Sequence, residues 1–227
     1  MLGHLNNAVA QMLDPAFRRA LFISIGVAAV LFAILYALTL LILSGVTFPD
    51  WPYAEEAVAV LVSFLFLVVA WLLFPAVSTA VLSLFLDGIV DAVEEKHYPA
   101  NRANRAVGWR EALASGLKFM AVTIGINLLA LPLYLLFMFT IFGGTALFIV
   151  INSYLLGREY YEQIAIRHFL PPDAAKLRRA RRPQFLVAGF VITLMFMVPL
   201  LNLIAPLIAT AFMVHVFHGT IVKGKKV

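Results

Sequence analysis

Six consecutive residues, Asp14-Pro15-Ala16-Phe17-Arg18-Arg19, bring together the parts of an anion site. Asp14 is a good N-cap, and Pro15 suits the first position of a helix. A helix starting there has unbonded backbone N–H groups around Ala16 and Phe17, at the positive end of its dipole. Two guanidinium groups, Arg18 and Arg19, converge on the same end. N–H donors and arginine forks both match the oxygens of a tetrahedral anion, so Ala16, Phe17, Arg18 and Arg19 form a candidate oxyanion site. Asp14 competes with such an anion unless its carboxylate is turned into capping. A second reading stays open, in which the two arginines anchor the helix to anionic lipid.

Other polar residues lie within apolar surroundings. Asn127, Asn152 and Asn202, with Ser78, Thr79 and Thr210, either line an aqueous path or hydrogen-bond between helices. Asn202 stands apart because Pro199 and Pro206 bracket it. Arg158 and Glu159, with Glu162 and Arg167, suit either a gate at a pore mouth or a salt bridge at the membrane interface.

Enzymatic chemistry finds little support. The five histidines show no metal-protease spacing. His215 and His218, at i and i+3, could share a helix face, yet no nearby carboxylate is expected to complete a metal site. There is no cysteine for a nucleophile, thiolate site or disulfide, and no phosphate-binding glycine loop for ATP. No metal, cofactor or catalytic role is expected.

The elements that position these residues follow from composition. Of 227 residues 63% are hydrophobic and 13% charged, about half the charged fraction a soluble domain carries, so lipid must solvate much of the surface. The net charge of +5 sits in short blocks beside apolar runs, a pattern of membrane orientation rather than nucleic-acid binding.

Four runs lack Asp, Glu, Lys and Arg: residues 20–48, 57–86, 119–157 and 184–222, of 29, 30, 39 and 39 residues. The first is expected to be retained rather than cleaved as a signal peptide. A crossing helix needs about 20 residues, so each run is long enough. The loop between the first two holds Asp50, Glu55 and Glu56 and no basic residue, whereas all 17 Lys and Arg flank the other ends. The positive-inside rule then places that loop outside and both termini in the cytoplasm. Runs one and two cross once each, as helices over 20–48 and 57–96, the second extending into the cytoplasm. Runs three and four start and finish on one side and must be hairpins.

Pro132 and Gly143-Gly144 favour a turn or kink in the third run, with arms of roughly 18 residues. In the fourth, the first arm has 15 residues before Pro199, about 22 Å of helix. That hairpin is expected to be re-entrant, which requires oligomeric packing or a water-filled path around its tip. Residues 157–170, GREYYEQIAIRHFL, read as an interfacial amphipathic helix, and residues 1–13 as a weaker one. The fold class is therefore all-α integral membrane, one domain over 1–227, with two long transmembrane helices and two hairpins.

PAFRR at 15–19, SLFLDGIVDAVE at 83–94, NSYLLGREYYE at 152–162 and VPLLNLIAP at 198–206 resemble segments of the CysZ-type sulfate permeases. These are bacterial inner-membrane proteins related to the etoposide-induced membrane proteins. The resemblance implies ATP-independent sulfate uptake by an oligomer, supplying sulfur assimilation and cysteine synthesis. It also implies two long helices with two partly inserted hairpins, and sulfate contacts at Ala16, Phe17, Arg18 and Arg19. The family's glycine is Ala16 here, which bears on how closely backbone can approach the anion. The alternative from another class is a non-transporting membrane scaffold that binds partner proteins.

Overall fold

The computed structural model describes residues 1–46, 53–103, 105, 107–140 and 142–224. Asp50 of the acidic loop, and Lys225 and Lys226 of the C-terminal basic block, lie outside them. Among the described residues ten α-helices follow one another: α1 Leu2–Ala10, α2 Pro15–Leu43, α3 Ala54–Ser83, α4 Leu86–His97 and α5 Trp109–Phe137, then α6 Gly143–His168, α7 Pro171–Ala180, α8 Arg182–Met197, α9 Pro199–Asn202 and α10 Ala205–Gly224. No strand occurs among the described residues. Two compact units divide the chain: Pro15–Leu86, and Met1–Asp14 together with Asp87–Val227.

The smaller unit is the pair α2 and α3. Aromatic rings seam it, with Phe32 and Phe74 centroids 6.0 Å apart and Tyr36 and Phe66 5.0 Å apart. The Tyr36 hydroxyl donates to the Ser63 hydroxyl at 3.1 Å. Outward faces carry Leu31, Ile34, Leu61, Phe64 and Trp71, all exposed. Leucine and phenylalanine at such density are stable only against lipid. Among the described residues three helices, α2, α3 and α5, are long and apolar enough to cross a membrane. The chain is an all-α membrane protein.

In the larger unit α10 is the centre. From Ala205 to Phe217 nearly every described side chain is buried, as suits a helix apolar on all sides. It packs against α1, α6 and α8. Where α6 meets α8, Gly157 and Gly189 face each other. A Cβ on Gly189 would strike the Ser153 carbonyl oxygen and come within 2.8 Å of Gly157 Cα. Only small residues let two helix backbones approach this closely. On the other face of α6, Ala130, Ile151 and Leu155 form a cluster with Val122, Ile126 and Tyr134 that fastens α5.

Several expectations change. The helix expected over 57–96 is two helices, broken after Ser83. The third run does form a hairpin, but Pro132 stays inside α5 and the turn follows Phe137. Its arms have 29 and 26 residues rather than about 18, because both helices run past the ends of the charge-free stretch. The amphipathic stretch 157–170 is no separate interfacial helix. It completes α6, with Tyr160, Tyr161, Ile164 and Ala165 buried against protein. The tyrosines explain why: Tyr161 packs on Phe185 at 4.2 Å and donates to the Ala174 carbonyl at 2.8 Å. The second arm of the last hairpin, α10, is longer than expected at 20 residues, and the chain's own α1, α6 and α8 cover it.

Candidate functional site

The helix predicted to start at Pro15 does so, and Asp14 precedes it in extended conformation. Both Asp14 carboxylate oxygens accept from Lys96 Nζ at 2.8 Å. The charge that would oppose an anion is therefore engaged by an ammonium rather than by the helix end. Ala16 is half-buried, Phe17 is buried, and Arg18 and Arg19 are exposed. The first backbone N–H groups of α2 have no carbonyl four residues back. No described carboxylate of the smaller unit pairs with either arginine. Two guanidiniums without a described carboxylate partner in their own unit thus follow one another at a dipole's positive end, the kinds of donor that match an oxyanion.

The other sequence candidates scatter. Asn127 is exposed, and its amide donates to the Thr123 carbonyl at 2.8 Å. Asn152 does the same with Phe148 at 2.9 Å. Bonding back to the same helix satisfies one amide hydrogen without any partner helix or water. Asn202 closes α9 and is half-buried.

Arg158 and Glu159 are neighbours in sequence and part company in space. Arg158 is buried and donates to Glu162 at 2.9 Å, while Arg178 approaches the same carboxylate at 3.6 Å. Glu159 is exposed and lines a cavity of about 480 Å³ with Asp87, Arg105, Glu162, Gln163 and Arg167. Both arginines of that cavity are already matched, Arg105 by Glu111 and Arg167 by Asp91 and Asp87. Three carboxylates against two committed guanidiniums make it a poor place for an anion.

Sequence reasoning missed one constellation. Glu94, from α4, accepts at Oε1 from His168 Nε2 at 2.7 Å and from His218 Nε2 at 3.1 Å. Its Oε2 accepts the Ala103 N–H at 3.0 Å. Tyr98 stacks on His218 at 4.1 Å and places its hydroxyl 2.8 Å from His215 Nδ1. His97 and His4 lie against His215 in turn, so all five histidines gather around this end of α10. Burial alone would raise the Glu94 carboxyl, but hydrogen bonds from His168, His218 and Ala103 outweigh it and hold the group well below the usual carboxylate range. The expectation that no carboxylate joins these histidines is thereby corrected. A signal did exist: Ile89, Val90 and Val93 give α4 an apolar face, and Glu94 falls on it. An acid on the buried face of a helix demands a partner.

A family model described as sulfate transporter CysZ/etoposide-induced protein 2.4 matches residues 4–206. No curated protein matches the chain.

Proposed function

The chain belongs to the sulfate transporter CysZ/etoposide-induced protein 2.4 family, and from that premise we propose that it moves sulfate, or a closely related oxyanion, across the bacterial inner membrane. The movement is driven by no ATP and serves sulfur assimilation and cysteine synthesis. Ala16, Phe17, Arg18 and Arg19 receive the anion, and both termini face the cytoplasm. The protein works as a homo-oligomer in contact with membrane lipid and catalyses no covalent chemistry.

One observation carries this reading. Arg18 and Arg19 are exposed at the start of a membrane-length helix, while the neighbouring Asp14 is occupied by Lys96. A guanidinium meant only for packing is normally matched by a carboxylate, as buried Arg158 is by Glu162. Ala16 takes the family's glycine position, so the anion's oxygens accept from guanidinium N–H groups more than from closely approached backbone.

The test is uptake of radiolabelled sulfate into liposomes holding the purified full chain, with and without a proton gradient. Saturable uptake suppressed by excess unlabelled sulfate supports the proposal, and the gradient arm reports proton coupling. Uptake equal to that of empty liposomes, from folded protein, would favour the non-transporting scaffold that binds partner proteins.

A further inference from the structure

We propose that Glu94, His168 and His218 bind one divalent transition-metal ion of the zinc class, which ties α4, the end of α6 and α10 together. Each residue offers one ligand atom, and the three atoms lie within 4.8 Å of one another. Glu94 Oε1 is 2.7 Å from His168 Nε2 and 3.1 Å from His218 Nε2. Four ligands tetrahedrally placed about 2.0–2.1 Å from zinc stand about 3.3 Å from each other. Side-chain rotation brings the hydrogen-bonded triangle toward these separations.

The surroundings are those of a held site. The second oxygen of Glu94 is fixed by the Ala103 N–H, the kind of outer contact that orients a metal-binding carboxylate. Tyr98 stacks on the His218 ring, and Phe217 lies 5.0 Å from the His168 ring. Glu94 and His218 side chains are 1% exposed and His168 is 11% exposed, so water competes weakly for the ion.

The donor set chooses the metal. Two imidazoles with one carboxylate suit zinc, cobalt, nickel or copper, whereas magnesium and calcium favour all-oxygen shells. Two histidines and one glutamate leave a fourth position for water or for the second carboxylate oxygen. The ligands come from positions 94, 168 and 218, so one ion closes two long stretches of chain. The site uses neither Arg18 nor Arg19 and stands or falls without the transport reading.

The test uses the full chain, purified in detergent without a histidine tag, stripped with a chelator and titrated with Co²⁺ and then Zn²⁺. The expected result is one Co²⁺ per chain with the strong visible bands of four-coordinate cobalt, displaced by Zn²⁺, and a raised Tm. His168→Gln with His218→Gln should weaken binding by more than about 100-fold, beyond what loss of an outer contact costs. His97→Gln with His215→Gln should leave it in place. No saturable binding, or equal binding by both double variants, would overturn the site. Should the first pair fail to fold, the wild-type spectrum decides: weak six-coordinate bands would overturn the proposal.

Discussion

The first turn of α2 and the interior of the larger unit use the same side chain in opposite ways. In the larger unit, Arg105 is matched by Glu111, Arg167 by Asp91 and Asp87, and the buried Arg158 by Glu162. At the start of α2, Arg18 and Arg19 are exposed, and the nearest acid in sequence is held by Lys96. A matched guanidinium in a low-dielectric interior fixes geometry, since removing either partner strands a charge. An unmatched one beside free helix N–H groups is available to a ligand. The contrast separates arginines that build the protein from arginines free to act on an anion.

The largest effect should come from the interior's packing. Gly189→Ala places a methyl group on the Ser153 carbonyl and the Gly157 backbone. Backbone cannot step aside as a side chain can, so the loss should reach or exceed about 3 kcal/mol, the top of the usual overpacking range. Gly125→Ala, with nothing within 4 Å, is the matching control and should not lower stability, since alanine suits a helix interior better than glycine. Denaturant titration in detergent measures both.

Glu162→Gln tests the matched state itself. Arg158 keeps a side chain only 6% exposed but loses its counter-charge. The cost should be about 3 kcal/mol, the lower end for stranding a buried charge. An unchanged denaturation midpoint would mean that burial of Arg158 does not depend on the pair.

A smaller effect sharpens the unmatched side. The Lys96–Asp14 pair is partly exposed, so Lys96→Ala should cost under about 1 kcal/mol of stability. Sulfate uptake should nonetheless fall several-fold, because the freed Asp14 carboxylate opposes the anion. Asp14→Asn should not lower uptake. The smallest effect is expected at Asn127→Leu, with uptake within about twofold of wild type and stability within about 0.5 kcal/mol. Asn127 already bonds its own helix and faces outward, and a large loss of uptake would return it to the pathway.

Much of the frame was legible in the residues. The charge-free runs gave the α2–α3 pair and both hairpins, and Asp14-Pro15 marked the start of α2. Hydropathy and capping are local, and local signals survive into the fold. What escaped the sequence is non-local. Nothing near His218 announces Glu94, which lies 124 positions away. The amphipathic face of 157–170 reads alike whether lipid or Phe185 covers it. The turn of the third run falls near its middle, while Pro132 stays within α5, where a membrane helix can satisfy the freed carbonyl in other ways.

The most direct test of the free-arginine account is sulfate uptake by the double variant Arg18→Ala with Arg19→Ala, reconstituted at equal density with wild type and checked for an unchanged Tm. Loss of two charge-assisted contacts predicts at least about a tenfold fall in uptake at low sulfate. Uptake equal to wild type from the same folded protein would contradict the account and leave the pair as lipid anchors.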